Sequence, residues 1–169
     1  MFAVWLLFED ADSQYLSDTI LKLSKQYSSP VFLPHITIYG LVDIDLNTLD
    51  NIVLQSINGE KPIPVEKNML SHSDDFWKTL YVDLILNTSL QRIHKRLLTS
   101  LQSFTQYDFK PHVSLIYKQL PQNEKKFLAN TLEIKNTFKV SSIAIQEFSK
   151  DIEKWKVVKR HDFLQYAKS

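Results

Sequence analysis

The chain has 169 residues, of which 44% are hydrophobic and 23% are charged, and its formal net charge is +1. This composition is typical of one globular domain, and the nearly neutral charge excludes a general electrostatic attraction to nucleic acid or to a membrane surface. The chain contains no cysteine, which excludes disulfides, thiolate nucleophiles and cysteine-bearing metal sites and is compatible with the cytoplasmic location that we expect.

The first half of the chain predicts five elements in the order strand, helix, strand, helix, strand. Residues 2–8, FAVWLLF, are apolar but far too few to span a bilayer, and they lack the flanks of a signal peptide, so we predict a buried strand and no membrane association. Apolar residues at helical spacing predict a helix over residues 13–27. The stretch PHITIY at residues 34–39 predicts a strand, residues 46–56 a short helix, and residues 63–69 another strand.

The second half repeats this order without a gap, at an offset of 77 residues. Residues 79–85 predict a strand, residues 90–102 a helix, and PHVSLIY at residues 111–117 a strand. A short helix over residues 123–133 and a strand over residues 140–146 complete the repeat. Five elements at one offset indicate an internal duplication.

We therefore expect an α+β protein and not a doubly wound parallel sheet. The predicted architecture is a single domain of two similar lobes, at about residues 1–75 and 76–169, each with an antiparallel sheet backed by helices. A last strand over residues 154–163 extends the second lobe. The lobes are expected to face each other across a central cleft, and we expect the protein to be a monomer.

Each half carries one histidine motif, and alternation along a strand assigns a face to each of its side chains. His35 and Thr37 lie on one face of their predicted strand, and His112 and Ser114 lie on the corresponding face of the second. In each motif the imidazole and the hydroxyl are about 7 Å apart along the strand. If the lobes face each other, two imidazoles and two hydroxyls converge in the cleft.

These four groups suit the in-line hydrolysis of a phosphodiester. One neutral histidine can take a proton from the attacking water, and one protonated histidine can give a proton to the departing oxygen. Thr37 and Ser114 can donate hydrogen bonds to the phosphoryl oxygens, and the scheme needs no metal. A single histidine on a strand is more often a surface or core residue, so the hypothesis depends on the recurrence of the whole motif.

Four aromatic residues near the motifs are candidates for substrate binding, because aromatic faces stack on nucleobases. If a strand begins at about residue 76, Trp77 and Tyr81 share the face that lines the cleft. By the same alternation Tyr39 shares the face of the first histidine. Tyr117 falls on the opposite face and is kept as a candidate that closes its lobe. All four could also serve only in packing.

Trp155 is the fifth aromatic candidate and lies within a basic run. The run contains Lys150, Lys154, Lys156, Lys159 and Arg160. Such a segment could attract a phosphorylated substrate or an RNA terminus, and the alternative is a solvated edge strand protected by lysines.

We predict neither a metal nor a cofactor. The paired carboxylates, Asp43 with Asp45 and Asp74 with Asp75, have no histidine at metal-ligand spacing and are interpreted as turn and cap residues. With only two glycines, the chain cannot assemble a glycine-rich phosphate loop or a dinucleotide fingerprint.

The motifs HITI (residues 35–38) and HVSL (residues 112–115) resemble those of the 2H phosphoesterases, and the resemblance covers essentially the whole chain. It is strongest to the cyclic phosphodiesterase branch, with WLLFED, FWKTLYVDL and the tryptophan-bearing last strand as accessory features. The resemblance implies metal-independent opening of a 2′,3′-cyclic phosphate, of ADP-ribose 1″,2″-cyclic phosphate or of a related 2′-linked diester. It also implies one histidine as base and one as acid, for which we assign His112 and His35.

The expected partner is therefore a small nucleotide substrate. An RNA terminus and a cyclic di- or oligonucleotide signal fit the same cleft, and 2′–5′ RNA ligation is an alternative activity. A module that binds nucleotides without turnover is the alternative outside catalysis, although two complete motifs argue against it.

Overall fold

The structure is a computed structural model that describes residues 1–165. Within these residues the chain forms seven strands in one sheet, four helices and two short 3₁₀ turns. The strands are β1 (Phe2–Phe8), β2 (Ile36–Val42), β3 (Ile63–His72), β4 (Leu80–Leu84), β5 (His112–Ile116), β6 (Thr137–Glu147) and β7 (Lys156–Asp162). The helices are α1 (Asp10–Tyr27), α2 (Leu46–Ser56), α3 (Thr88–Leu101) and α4 (Gln122–Thr131). The predicted α+β class is confirmed.

Local sequence signals explain where the helices begin and which face they bury. The Asp45 carboxylate accepts a hydrogen bond from the Thr48 amide at the start of α2, and the Asn87 side chain accepts one from the Leu90 amide at the start of α3. Such caps satisfy amides that have no partner inside the helix. Helix α1 buries three apolar side chains at helical spacing, Leu16, Ile20 and Leu23. No helix within residues 1–165 is long and apolar enough to cross a membrane.

The strand order along the main path is β2-β1-β6-β3-β4-β5, and every pairing is antiparallel. Strands β1, β2 and β3 of the first half correspond to β4, β5 and β6 of the second half. Replacing each strand by its counterpart gives the same order in the opposite direction. At its centre β3 pairs with β6, and Ile63 lies opposite Val140. These two residues are 77 positions apart, the same offset that separates the two motif histidines. The register therefore supports a pseudo-twofold axis through this pair, and the internal duplication stays a prediction.

The two halves of the chain are interwoven. Strand β6 of the second half pairs with β1, and β3 of the first half pairs with β4. Helix α1 packs against β5, and α3 packs against β2, so each motif strand is covered by a helix from the other half. Strands β2 and β5, at the two ends of the path, approach each other and bring the motifs together.

The core lies between the helices and one face of the sheet, and β1 is buried on both faces. Val4, Leu6 and Phe8 join the main core, while Trp5 and Leu7 belong to a smaller cluster on the opposite face. The buried strand predicted for FAVWLLF is therefore confirmed. The smaller cluster adjoins the cleft described below.

The strand that was predicted to begin at about residue 76 begins later. Residues Phe76–Lys78 form a 3₁₀ turn, and β4 begins at Leu80. The Asp75 carboxylate accepts a hydrogen bond of 2.9 Å from the Trp77 amide and so fixes this turn. Trp77 is thus carried by a turn and not by a strand.

Candidate active site

A cleft of about 390 Å³ lies where β2 and β5 approach each other. Both motif histidines line it, together with Thr37. The other lining residues come from several elements: Ala3, Trp5, Gly40, Leu41, Asp75, Trp77, Lys78, Tyr107, Tyr117, Gln146, Phe148 and Trp155. The cleft therefore brings His35 and Thr37 together with His112, and Ser114 is not among its lining residues.

The two histidines are held in the same way. The Nδ1 atom of His35 is 2.7 Å from the carbonyl oxygen of Leu33, and the Nδ1 atom of His112 is 2.8 Å from that of Lys110. In each case the carbonyl belongs to the residue two positions earlier. A carbonyl only accepts, so each neutral imidazole carries its proton on Nδ1 and keeps Nε2 available to take or give a proton.

His35 is enclosed by aromatic rings. Its ring stacks on the indole of Trp5, with centroids 3.6 Å apart and an interplanar angle of 11°. Phe32 and Trp155 meet it edge-on at 6.4 and 6.1 Å. His35 is only 5% exposed, and burial lowers its pKa to about 4, although the bond to the Leu33 carbonyl acts in the opposite direction. The imidazole is therefore neutral at neutral pH in the free protein.

His112 has a wetter and more charged environment. The Tyr81 ring meets it edge-on at 5.5 Å, and burial lowers its pKa. The nearby Lys78 ammonium also lowers this pKa, whereas the bond to the Lys110 carbonyl and the carboxylates of Asp83 and Asp75 raise it. The two motif histidines also repel each other's protonated forms. His112 consequently accepts a proton more readily than His35.

The hydroxyl groups of Thr37 and Ser114 differ in their surroundings. Thr37 lines the cleft, whereas the Ser114 hydroxyl donates a hydrogen bond of 2.7 Å to the carbonyl oxygen of Trp77. Ser114 is 5% exposed and fastens the 3₁₀ turn to β5. Its predicted donation to a phosphoryl oxygen requires the hydroxyl to leave this carbonyl, and that role stays a prediction.

A β-bulge in each motif strand reverses the expected faces of the two tyrosines. On β2 the register passes from Thr37 opposite Trp5 to Tyr39 opposite Val4, so one extra residue is inserted. Cross-strand partners share a face, and Val4 is in the main core. Tyr39 is fully buried there, and its hydroxyl donates to the Thr105 carbonyl at 2.5 Å. The predicted placement of Tyr39 on the histidine face is wrong.

The bulge on β5 has the opposite consequence. The register passes from Ser114 opposite Tyr81 to Ile116 opposite Leu80. This puts the following residue, Tyr117, on the cleft side, where it lines the cavity while remaining only 5% exposed. The expectation that Tyr117 falls on the other face is therefore wrong. The position 77 residues earlier is Gly40, which also lines the cleft.

An aromatic wall bounds one side of the cleft. Trp77 and Trp155 are stacked, with centroids 5.7 Å apart and an interplanar angle of 20°, and Tyr117 meets both edge-on. The Trp155 indole nitrogen donates to the Ser149 carbonyl at 2.7 Å, which fixes the ring. Trp77 is 40% exposed and offers the accessible part of this wall. Tyr81 contacts His112 and is not part of the wall.

Sequence reasoning missed several cleft residues, of which Trp5 is the clearest case. Trp5 lies opposite Thr37, as Tyr81 lies opposite Ser114, so the two aromatics are counterparts that support the two histidines. The sequence alignment of the halves put Trp5 on Val82, one residue away. Tyr107 and Lys78 were also missed, because a loop tyrosine and a lysine within an assumed strand carry no periodic signal.

Carboxylates are sparse around the cleft. Of the lining residues that belong to the described part of the chain, only Asp75 carries a carboxylate, and it caps the 3₁₀ turn. Within residues 1–165 there is no group of three or more histidine, aspartate and glutamate residues arranged to hold a metal ion.

Comparison with known proteins gives a consistent result. The family model of the cyclic phosphodiesterase-like proteins matches residues 1–163. A cyclic phosphodiesterase of Arabidopsis thaliana is 20% identical over 126 residues, which are 75% of this chain and 70% of that protein.

Solved structures share the fold at low sequence identity. TT0787 of Thermus thermophilus superposes with a TM-score of 0.64 at 12% identity, over 96% of this chain and 97% of that one. E. coli LigT in complex with 3′-AMP superposes with a TM-score of 0.62 at 11% identity, over 97% of this chain and 98% of that one. LigT has also been solved with NADP+ and with ATP.

Proposed function

Because this chain belongs to the cyclic phosphodiesterase-like family of the 2H phosphoesterases, which are hydrolases, we propose that it opens a cyclic phosphate in a nucleotide-type substrate. The proposed substrates are a 2′,3′-cyclic nucleotide or ADP-ribose 1″,2″-cyclic phosphate. His35 and His112 act as the acid–base pair, and the reaction proceeds without a metal.

The observation that carries this proposal is the matched anchoring of the two histidines in one cleft. Each imidazole donates a hydrogen bond from its Nδ1–H group to the carbonyl oxygen two residues earlier, at 2.7 and 2.8 Å, and so presents Nε2 for proton transfer. If the two histidines served only at the surface or in packing, the same Nδ1 anchoring would not be expected at both of these related positions. Two such groups in one cavity of about 390 Å³ suit a phosphate held between them.

In the proposed reaction the cyclic phosphate lies between the two imidazoles. Nε2 of the base takes a proton from water as the water oxygen bonds to phosphorus. Nε2 of the acid gives a proton to the ribose oxygen as its bond to phosphorus breaks, and a phosphate monoester results. The Thr37 hydroxyl supports a phosphoryl oxygen. The base ends the reaction protonated and the acid neutral, so a proton is exchanged with solvent before the next turnover.

The electrostatics of the cleft constrain which histidine acts as acid and which as base. Both histidines have lowered pKa values in the free protein, so the bound phosphate must supply the negative charge that keeps one imidazole protonated. Without substrate, the His112 imidazole has a higher proton affinity than the His35 imidazole. The assignment of His35 as acid therefore requires the phosphate to bind closer to His35 than to His112.

The aromatic wall is the proposed platform for the nucleobase. Trp77 offers an accessible indole face, and Trp155 and Tyr117 hold it in place. Stacking on such a platform contributes roughly 1 to 3 kcal/mol per base and is tolerant of base identity. The capacity of LigT, which has the same fold, to hold 3′-AMP, NADP+ and ATP supports a small nucleotide ligand here.

A substrate panel tests the proposal. The purified protein, in EDTA, is offered 2′,3′-cyclic AMP, ADP-ribose 1″,2″-cyclic phosphate, a cyclic dinucleotide and a short RNA ending in a cyclic phosphate. Products are identified by mass spectrometry. We expect a phosphate monoester from at least one of the first two substrates, at a rate that EDTA does not change.

Other outcomes redirect the assignment. Turnover of only the cyclic dinucleotide would favour degradation of a signalling nucleotide, and turnover of only the RNA would favour end processing. Nucleotide binding with no product from any substrate would favour a binding module. Loss of activity in EDTA that is restored by a divalent metal would overturn the metal-independent mechanism.

A further inference from the structure

We propose that the ammonium group of Lys78 is the anion-binding group of the cleft and contacts a phosphate oxygen of the substrate on the His112 side. The inference rests on the proposed function for the identity of the ligand as a phosphate. It adds a cationic residue to the two histidine motifs, neither of which contains one.

Among the cleft-lining residues that the structure describes, Lys78 is the only lysine or arginine. A phosphodiester carries a negative charge at neutral pH, while the lowered pKa values leave both motif histidines uncharged in the free protein. Within residues 1–165, the Lys78 side chain therefore offers the approaching anion the only permanent positive charge of the cleft lining. Fixed charge aimed at a phosphoryl group is a principal source of binding and of transition-state stabilisation.

The ammonium group is held close to the site of reaction. The Lys78 Nζ atom lies over the Tyr81 ring, 4.5 Å from its centroid, and the same ring meets His112 edge-on at 5.5 Å. Lys78 is close enough to His112 for its charge to lower the pKa of that imidazole. Among residues 1–165, no carboxylate oxygen lies within ion-pair distance of this Nζ atom. The charge is positioned by the π face of Tyr81 and remains available to an anion.

The backbone that carries Lys78 is fastened from two sides. The Ser73 hydroxyl donates to the Lys78 carbonyl at 2.6 Å, and the Ser114 hydroxyl donates to the Trp77 carbonyl at 2.7 Å. From α4, the buried Lys125 ammonium donates to the Ser73 carbonyl at 2.8 Å and to the Asp74 carboxylate at 2.7 Å. The backbone of the turn is therefore fixed before substrate arrives, so little backbone freedom is lost when the lysine meets an anion.

The test compares anionic and neutral ligands on three variants. Lys78→Met keeps the length of the side chain and removes its charge, Lys78→Arg keeps the charge, and Lys22→Met makes the same change of net charge on the exposed side of α1. Dissociation constants are measured by calorimetry for inorganic phosphate, 2′-AMP and adenosine. Thermal unfolding verifies that each variant is folded, and Lys78→Gln replaces Lys78→Met if the latter is not.

We expect Lys78→Met to weaken phosphate and 2′-AMP binding by about 10- to 100-fold, as for other hydrogen bonds to charged groups, with adenosine binding unchanged. Lys78→Arg is expected to retain most of the wild-type affinity, and Lys22→Met all of it. Unchanged phosphate affinity in Lys78→Met overturns the proposal, as does an equal loss for adenosine, which indicates a general distortion of the cleft. Lack of phosphate binding by the wild-type protein overturns it as well.

These outcomes are separable from the proposed function. If no cyclic phosphate is turned over but phosphate binding depends on Lys78, the hydrolase proposal fails and this inference stands. If cyclic phosphates are hydrolysed and Lys78→Met retains the wild-type kcat/KM, this inference fails and the hydrolase proposal stands.

Discussion

The two halves of the cleft have the same backbone plan and different electrostatics. Each motif strand carries a β-bulge after its hydroxyl residue, and each histidine is anchored through Nδ1 to the carbonyl two positions earlier. The Trp5 indole stacks on His35, and no carboxylate of residues 1–165 is among the causes of its lowered pKa, whereas His112 lies among the charges of Lys78, Asp75 and Asp83.

This difference shows how a nearly symmetric scaffold can place two histidines in unlike electrostatic environments, as the proposed acid–base pair requires. Identical environments would give the two imidazoles the same tendency to hold a proton. Here burial depresses the pKa of His35 to about 4, and carboxylates oppose the depression at His112. Acid–base catalysis needs one protonated and one neutral group, and in the free protein the asymmetry favours the proton on His112, opposite to the assignment of His35 as acid.

The largest expected effect comes from removing either histidine. His35→Ala and His112→Ala are each expected to lower kcat for 2′,3′-cyclic AMP by about 10²- to 10⁴-fold, because each removes one proton-transfer step. His72→Ala, which changes a histidine outside the cleft lining, is the matched control and should retain full activity. Turnover near the wild-type rate in either motif variant would refute the acid–base pair.

A smaller effect should separate the two hydroxyls. Thr37→Val is expected to lower kcat/KM by about 10- to 100-fold through loss of a donor to the phosphoryl group. Ser114→Ala should act mainly on KM, because its hydroxyl fastens the turn that carries Trp77 and Lys78. Steady-state kinetics on 2′,3′-cyclic AMP distinguish the two. Equal losses of kcat in both variants would mean that Ser114 turns toward the substrate and that the two motifs work symmetrically.

The repeated order of elements could be predicted because each helix and strand shows its own apolar periodicity in the sequence. The two series of elements then align at an offset of 77 residues. FAVWLLF and residues 46–56 gave β1 and α2 with the bounds that the structure has. The predicted convergence of His35 and His112 follows from the same symmetry, and both residues line one cleft.

The assignment of faces failed where a bulge inserted one residue. Period-two alternation assumes an unbroken ladder, so it placed Tyr39 in the cleft and Tyr117 outside it, and the structure has the reverse. The crossing of strands between the halves was also invisible, because it depends on which distant strands pair. Lys78 could not be recognised, since its importance comes from a turn that Asp75 caps and from a partner ring on β4.

The buried state of His35 should make stability depend on pH. The unfolded chain binds a proton at His35 below its ordinary pKa of 6.5, whereas the folded protein does so only below about 4. Between these values the unfolded state holds more protons, so stability falls as the pH falls. From pH 7.5 to pH 5 this contribution is about 2 kcal/mol.

Urea unfolding at the two pH values measures this contribution. His35→Phe keeps an aromatic ring against Trp5 and cannot titrate, so its loss of stability should be smaller than that of the wild type by about the same 2 kcal/mol. Equal losses in the two proteins would show that His35 titrates normally and that the electrostatic difference between the halves is absent.

The smallest effect tests the reversed tyrosines. Tyr39→Phe removes the hydrogen bond to the Thr105 carbonyl and should lower the free energy of unfolding by about 1 kcal/mol without changing kcat/KM. Tyr117→Ala opens the wall behind Trp77 and should raise KM. A catalytic defect in Tyr39→Phe, with an unchanged free energy of unfolding, would indicate that Tyr39 faces the cleft and contradict its buried position.

The central claim is that the two motif histidines form one acid–base pair around a phosphate. Its most direct test is an NMR titration of both imidazoles, with and without saturating inorganic phosphate and with the motif variants providing the assignments. We predict that both free imidazoles titrate below 6.5, His35 lower than His112, and that bound phosphate leaves one of them protonated at pH 7. Two ordinary titrations that phosphate does not shift would contradict the claim.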